Sequence, residues 1–280
     1  MSRSIGIDIL RIIGLVLVIV YHLISVYAPR SQISFGIPGI YYLNIGEWGV
    51  SIFLFISGFV LMQKYAGRLN VREFYTRRIK RLYITYFICL GIVILLPGRL
   101  QFLSDAPHIF CTATATCAFF GLTRSALLGS GWFIGAIAAQ YLLFPLYRWL
   151  LKKDAYAFLF LITTIAFLFR FEEVYFNSLI RYFVNWFPLT RMFEFGAGMV
   201  FGQLMLGMKP LVSLPERWAR NITYIGLWTF PMYLLHLDFI PDKNILLAPL
   251  GLIAAGILSV GVLEVDKLLT KGNKDIHGRG

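Results

Sequence analysis

Three ionisable side chains, Asp8, Arg11 and His22, lie in the first apolar stretch of the sequence, IDILRIIGLVLVIVYHLIS, at spacings that allow them to act together in a catalytic site. In a helix, Arg11 and His22 fall on one face, about 16 Å apart along the axis. Asp8 precedes Arg11 by three residues, a spacing that allows an ion pair across one turn. A neutral imidazole takes up and returns protons near neutral pH, so His22 is a candidate general base. A structural histidine bonded to a backbone carbonyl is the alternative.

A second group of cations precedes another apolar stretch, in FYTRRIKRLYITYF. Arg77, Arg78, Lys80 and Arg81 lie within five positions. Arg78 and Arg81 share a helical face, so their planar guanidinium groups can converge on a pyrophosphate or a ribose phosphate. A topology signal combined with attraction to anionic lipid explains the same cluster without a ligand.

Four further residues are candidate contacts for a substrate. Arg191 and Glu194 are one helical turn apart at the start of RMFEFGAGMVFG, and His236, followed two residues later by Asp238, lies toward the end of FPMYLLHLDFI. Trp132 begins a long apolar stretch. The alternatives are an ion pair without a role in chemistry, an interfacial histidine and an aromatic side chain at the membrane boundary.

The elements that must position these residues are membrane helices. Of the 280 residues, 58% are hydrophobic and 14% are charged, and the apolar runs exceed what a soluble core helix needs. The runs lack strand alternation, and only helices or closed barrels satisfy the backbone within a bilayer. The sequence therefore predicts an all-α, polytopic integral membrane helix bundle with 8–10 transmembrane helices.

The length that a crossing requires, about 17 to 25 apolar residues, divides the chain into spans. Eight segments meet it, with approximate bounds 5–27, 46–63, 80–97, 131–150, 155–170, 191–208, 221–240 and 245–265. Two shorter and more polar segments, 107–123 and 178–189, are re-entrant, interfacial or spanning. We expect one integral domain over 1–266 and a short basic cytoplasmic tail over 267–280.

The distribution of Lys and Arg sets the orientation, because positively charged loops stay in the cytoplasm. With the N-terminus inside, that side holds 19 of the 26 cations and the opposite side holds 7. Both termini are therefore predicted to be cytoplasmic. The net charge of +12 is thus read as a topology signal rather than as a nucleic-acid-binding surface.

Several kinds of site lack support in the sequence. No phosphate-binding Gly-x-x-x-x-Gly-Lys loop, His-Glu-x-x-His zinc motif or Gly-x-Ser-x-Gly elbow occurs, and no metal site is expected. The three cysteines Cys89, Cys111 and Cys117 lack the C-x-x-C spacing of zinc or redox sites. They are predicted to be inert buried thiols.

Taken in order, these motifs resemble the acyltransferase-3 family of membrane O-acyltransferases. Asp8, Arg11 and His22 match its opening pattern, in which Asp-x-x-Arg is followed by ten residues and a histidine. The stretch GVSIFLFISGFVL is similar to its second span, and FYTRRIKRLYITY to its Arg-x-x-Arg stretch before the third.

The resemblance continues along most of the chain. WFIGAIAAQYLLFPLY is similar to a Trp-containing span of the family, and RMFEFGAGMVFG and FPMYLLHL are similar to its late spans. Many members carry a glutamate where this chain has Gln140. That difference alters how the site handles protons or marks another branch, and Glu194 is a candidate for the missing carboxylate.

The resemblance implies transfer of an acyl group, commonly acetyl, from cytoplasmic acyl-CoA to a hydroxyl of a carbohydrate or a lipid-linked glycan. His22 becomes the catalytic base or the acyl carrier, with Arg11 and Asp8 as its partners. Arg77, Arg78 and Arg81 become contacts for the phosphates of the acyl-CoA donor. The expected partners are the lipid bilayer, acyl-CoA and the glycan acceptor, and the expected location is the inner (cytoplasmic) membrane of the cell.

Two other functions fit the same residues. A proton-coupled transporter or exporter would relay protons through His22, Asp8 and Glu194 without covalent chemistry. A structural subunit would retain the acyltransferase residues as relics. Release of CoA from acetyl-CoA distinguishes the enzyme from both, because a transporter moves its cargo without it.

Overall fold

The computed structural model describes residues 5–31, 33–37, 41–103, 105–120, 127–176, 187–208, 212, 214–241 and 244–277. Nine α-helices make up most of these described residues. They are α1 (Ile5–Tyr27), α2 (Ile45–Lys64), α3 (Val71–Ile94), α4 (Ala106–Thr114), α5 (Trp132–Lys153), α6 (Ala155–Phe176), α7 (Met192–Leu204), α8 (Glu216–Leu235) and α9 (Ala248–His277).

The helices confirm the all-α prediction, and each of the eight expected spans overlaps one of them. Within the described residues, four helical segments are long and apolar enough to cross a membrane. They are Ile5–Tyr27, Ile45–Lys64, Gly129–Lys153 and Ile245–Leu269. The chain is thus a multi-pass membrane helix bundle.

The structure gives more detail on the two shorter segments, the tail and the arginine cluster. Within segment 107–123, α4 is 9 residues long, and at about 1.5 Å per residue it is too short to span a bilayer. Most of segment 178–189 lies outside the described residues. Helix α9 continues to His277, so most of the expected tail is helical. Helix α3 begins at Val71, so the arginine cluster lies inside a helix.

Helix starts are fixed by polar side chains that accept hydrogen bonds from the backbone. The Asn44 side chain accepts from the Glu47 N–H while the Glu47 side chain accepts from the Asn44 N–H, which completes a capping box at α2. Asn70 accepts from the Glu73 N–H at the start of α3. These caps define where the two helices that carry much of the site begin.

Close helix packing holds α2 at the centre of the bundle. A Cβ at Gly202 of α7 would lie 2.6 Å from the Phe59 carbonyl oxygen of α2, and a Cβ at Gly198 would collide with the Phe55 carbonyl. Glycine at these two positions therefore lets the two backbones approach, as the Gly-x-x-x-Gly spacing indicates. On its other side α2 packs against α1, where a Cβ at Gly14 would meet the Gly49 carbonyl oxygen at 3.1 Å.

The loop between α2 and α3 is clamped by cations from the end of α5. The Arg148 Nε donates to the Tyr65 carbonyl at 2.7 Å, and its Nη2 donates to the Gly67 carbonyl. Lys152 Nζ donates to the Ala66 carbonyl at 2.5 Å. Since these carbonyls follow the C-terminus of α2, the cations also complement the helix dipole. We call this end of the bundle, with the N-terminal half of α3, the basic end.

Two features at the opposite end were not predicted. An antiparallel hairpin of β1 (Ser34–Ile37) and β2 (Tyr41–Asn44) pairs Ser34 with Asn44 and lies between α1 and α2. Cys111 and Cys117 form a disulfide. The prediction of inert thiols is therefore wrong for this pair and holds for Cys89, which is buried and unoxidised.

Candidate active site

The first residues of the site form a buried ion pair on α1. Asp8 is fully buried, and its Oδ1 accepts from the Arg11 Nη1 at 2.8 Å. Gly226 of α8 faces this carboxylate, since a Cβ there would lie 2.7 to 2.9 Å from Asp8 side-chain atoms. The absence of a side chain at Gly226 therefore lets α8 pack directly against the ion pair.

A cavity of about 130 Å³ lies beside this pair, and three guanidinium-bearing residues line it. Arg11 comes from α1, and Arg78 and Arg81 come from α3. The structure thus brings together cations that the sequence separates by 67 positions. We call this space the arginine cavity. Its other lining residues are Phe53, Ile56, Ser57, Val60, Leu61, Leu82, Phe133, Ile137, Tyr141, Gly226, Leu227, Thr229 and Phe230.

The three cations differ in how the protein neutralises them. Arg11 is bonded to Asp8, and Arg81 is attracted by Asp266 of α9. The Arg78 guanidinium lies 5.9 Å from the centroid of the Tyr141 ring, a cation–π contact. Its buried Nε finds no hydrogen-bond partner among the residues that the structure describes. The cavity is therefore lined by three guanidinium groups, which favours an anionic ligand.

Arg77 is separated from this group, although it precedes Arg78 in the sequence. Its Nη2 pairs with Glu73 one turn earlier on α3, and the side chains are 60% and 50% exposed. Among the described residues that line the arginine cavity, Arg77 is absent. We therefore leave Arg77 out of the candidate site.

At the other end of α1, His22 lies against the second candidate histidine. The ring centroids of His22 and His236 are 5.1 Å apart, with an interplanar angle of 48°. His236 is fully buried in the 3-10 turn that follows α8, and its Nδ1 lies 2.7 Å from the Tyr233 carbonyl oxygen. We call these two residues the histidine pair. The sequence does not reveal their contact, since 214 positions separate them.

Aromatic side chains occupy the space between the arginine cavity and the histidine pair. Phe53 and Phe133 line the cavity, and their ring centroids lie 5.6 and 5.0 Å from that of Tyr233. The Tyr233 ring is in turn 5.9 Å from His236. Trp132 packs against Phe133 at 6.2 Å. These rings, Phe53, Phe133 and Tyr233, form an aromatic cluster that connects the two parts of the site.

A further ion pair holds the turn that carries His236. Arg99, which follows α3, pairs with Asp238 at 2.9 Å, and the Asp238 carboxylate is 1% exposed. Tyr27 at the end of α1 donates to the Pro241 carbonyl on the same connection. Arg99 is one of the seven cations that the charge count assigns to the outer side, and that count does not reveal its contact with the site. Asp238, two residues after His236, is the sequence signal for a cation near this turn.

Arg191 and Glu194 lie in a buried ionic network outside the arginine cavity, and the Arg191 charge acts on Tyr233 of the aromatic cluster. The Glu194 Oε1 accepts from Arg170 at 2.8 Å, from Arg191 at 3.2 Å and from the Ser51 hydroxyl at 3.2 Å. Arg191 also approaches Glu47 at 3.8 Å. This ionic network joins α2, α6 and α7, and neither Arg191 nor Glu194 is among the described residues around the arginine cavity.

Gln140 is likewise engaged away from both parts of the site. Its Nε2 donates to the Pro188 carbonyl at 2.7 Å, and its Oε1 accepts from the Tyr147 hydroxyl at 3.2 Å. An amide is needed for this arrangement, because an ionised carboxylate cannot donate. The described residues contain no group of three or more side chains able to hold a metal ion.

Comparison with known protein families gives a match. A family model described as an acyltransferase domain matches residues 4–206, which covers α1 to α7 and both the arginine cluster and His22. Neither the curated proteins nor the solved structures contain a match to the chain.

Proposed function

The chain belongs to the acyltransferase-3 family and is a membrane acyltransferase, and on that premise we propose a specific reaction for it. It transfers an acyl group, most simply acetyl, from acyl-CoA on the cytoplasmic side. The acceptor is a hydroxyl of a carbohydrate or of a lipid-linked glycan.

The observation that supports this donor is the arginine cavity. Coenzyme A carries a pyrophosphate and a ribose phosphate, and planar guanidinium groups bind phosphate through paired charge-assisted hydrogen bonds. Arg11, Arg78 and Arg81 surround one space, and the Arg78 Nε is buried without a hydrogen-bond partner in the described part of the chain. A phosphate bound in this space would supply hydrogen-bond acceptors and negative charge to these guanidinium groups.

The donor must extend from the arginine cavity to the histidine pair. Arg11 and His22 are about 16 Å apart along α1, and the long, flexible arm of coenzyme A that ends in the thioester suits such a separation. In the proposal the phosphates stay at the basic end while the thioester passes the aromatic cluster. The acyl carbon then reaches His22, which acts as general base for the acceptor hydroxyl or takes the acyl group itself.

The proposed orientation places the basic end in the cytoplasm and the histidine pair toward the outside. The excess of Lys and Arg on one side supports it. The disulfide between Cys111 and Cys117 gives separate support, since disulfides persist in oxidising compartments and the segment that carries it lies on the predicted outer side. In a bacterial cell this corresponds to the inner membrane. Donor and acceptor would then approach from opposite faces.

The remaining candidate residues divide between two roles. Trp132 packs against the aromatic cluster and His236 belongs to the histidine pair, so we assign both to the acceptor side. Glu194 accepts hydrogen bonds from both Arg191 and Arg170. We therefore propose that Arg191 and Glu194 stabilise the helix bundle and do not bind substrate.

The test incubates purified protein, in detergent or liposomes, with radiolabelled acetyl-CoA. The rate of transfer is measured as the release of CoA. His22→Ala should lower the rate by about 10²- to 10⁴-fold, the usual contribution of general acid–base help. Arg78→Ala should weaken acetyl-CoA binding roughly tenfold or more, since a hydrogen bond to a charged group contributes about 1.5–3 kcal/mol. Arg77→Ala is the matched control, because Arg77 is next to Arg78 in the sequence but is exposed and paired with Glu73.

Two results would contradict the proposal. Full CoA release by His22→Ala would remove His22 from the reaction, and equal acetyl-CoA affinities of the Arg78 and Arg77 variants would leave the arginine cavity without a ligand. Flux of a solute driven by protons, without any CoA release by the wild type, would instead support a transporter.

A further inference from the structure

The most unusual polar atom of the histidine pair is the Nε2 of His236. The side chain is fully buried, and within the described residues this nitrogen has no hydrogen-bond partner. Leaving a buried polar atom unsatisfied costs about 1–3 kcal/mol. A group that enters the site during the reaction is therefore the natural partner for this atom.

The other ring nitrogen shows what that partner must be. The Nδ1 of His236 lies 2.7 Å from the Tyr233 carbonyl oxygen, which can only accept. Nδ1 therefore carries the hydrogen, and in the neutral ring the Nε2 has a lone pair. This lone pair requires a donor, and a hydroxyl group is the donor that an acyl acceptor brings to the site.

We propose that the two histidines divide the reaction: His22 carries the acyl group as an acylimidazole, and His236 Nε2 is the general base for the acceptor hydroxyl. The inference rests on the proposed function. Its basis is the 5.1 Å separation of the two rings, the Nδ1 bond that fixes the His236 tautomer and the unsatisfied Nε2. A single-histidine reaction leaves that nitrogen unused.

In the first step, a His22 ring nitrogen attacks the thioester carbonyl carbon and forms the new C–N bond. The C–S bond breaks, the thiolate leaves, and the proton of the other His22 ring nitrogen passes to the sulfur. The products are neutral acyl-His22 and free CoA thiol, so no additional reactant is needed.

In the second step, the acceptor oxygen attacks the acyl carbon while its proton moves to His236 Nε2. The C–N bond to His22 breaks, the ester forms, and the departing imidazole takes a proton from His236. Both histidines return to their neutral forms. Because the rings already adjoin, the proton travels directly or through the acceptor itself.

The test compares His236→Asn with His22→Ala in purified protein given radiolabelled acetyl-CoA. Asparagine places an amide N–H where His236 has Nδ1, so the bond to the Tyr233 carbonyl is retained while Nε2 is removed. We expect His236→Asn to release close to one equivalent of CoA per protein and to retain protein-bound label. Turnover with native membrane vesicles as acceptor should fall about 10²- to 10⁴-fold. Hydroxylamine should remove the label, since it cleaves acylimidazoles.

Three controls complete the design. His22→Ala should show neither CoA release nor bound label, and His108→Ala, which alters a histidine of the short helix α4, should behave as wild type. Added imidazole should restore part of the turnover of His236→Asn, because it can occupy the vacated space and accept the proton. A histidine with a purely structural role would show no such rescue.

The outcomes separate this inference from the proposed function. If wild-type protein releases no CoA, the proposed function fails and the inference with it. If wild-type protein transfers label but His236→Asn either turns over at the wild-type rate or binds no label, only the inference is overturned. In the second case, with folded protein and no bound label, transfer is direct and His22 is the base.

Discussion

Two groups of arginines show how similar sequence patterns come to serve different purposes. Arg78 and Arg81 are one helical turn apart, and Arg191 and Glu194 have the same spacing. The first pair lines a cavity, whereas Arg191 and Arg170 both donate to one carboxylate oxygen of Glu194. Charge that is neutralised by neighbouring helices stabilises the bundle. Charge that faces a space is available to a ligand.

The largest effect on stability is expected from Glu194→Gln. The change removes the carboxylate that Arg170 and Arg191 share, and breaking a buried ion pair costs about 3–5 kcal/mol because the remaining charge is uncompensated. We expect a large fall in the thermal unfolding temperature of the detergent-solubilised protein. Glu264→Gln is the matched control, since its pair with Lys267 is exposed and should contribute at most about 1 kcal/mol.

The contrast between the arginine cavity and the ionic network would fail if Glu194→Gln kept wild-type stability but lost transfer to the acceptor. Glu194 would then belong with the catalytic residues, and the ionic network would be a binding site rather than a support. Retained activity in whatever protein still folds is the result expected from a structural role.

A somewhat smaller effect is expected from Gly226→Ala. The new Cβ would lie 2.7 to 2.9 Å from atoms of Asp8, and overpacking of this kind costs about 1–3 kcal/mol. Because Asp8 holds Arg11 beside the arginine cavity, acetyl-CoA affinity should fall together with stability. Gly91→Ala is the control, since a Cβ there meets no described atom within 4 Å and alanine favours the helix. Equal stability and equal acetyl-CoA affinity of the two variants would show that α8 does not position Arg11.

Gln140→Glu tests the position at which many relatives carry a glutamate. An ionised carboxylate cannot donate to the Pro188 carbonyl, so we expect a loss of about 1–3 kcal/mol and no gain in transfer rate. Unfolding and CoA release should be measured on the same preparation. Gln63→Glu, at a half-buried amide bonded to the Met205 carbonyl, is the milder control. A faster reaction in Gln140→Glu would place this residue in proton handling.

The sequence predicts elements and local pairs well because both depend on short spacings. The bounds of α1 and the Asp8–Arg11 pair follow directly from apolar run length and from the one-turn separation. Spacing alone puts Arg78 and Arg81 on one helical face, but the separation of Arg77 from the cavity becomes visible only in the structure, since adjacent helical positions face different directions.

Contacts between distant segments could not be derived in the same way. The approach of His22 to His236 depends on how α1 and α8 pack, which no local pattern encodes. The same holds for Arg170, one of the seven cations that the charge count assigns to the outer side, which forms part of the buried ionic network. The Cys111–Cys117 disulfide was missed because its spacing is not that of a metal or redox motif.

The smallest effect is expected from Glu73→Gln, which leaves Arg77 without its exposed partner. An exposed ion pair contributes about 0–1 kcal/mol and is screened by salt, so stability and acetyl-CoA affinity should both stay close to wild type. Affinity should be measured at low and at high salt. A tighter interaction with acetyl-CoA at low salt alone would mean that the released charge of Arg77 attracts the donor over a distance. The basic end would then act as one positive surface, and the distinction between cations that line the cavity and cations that face solvent would be one of degree.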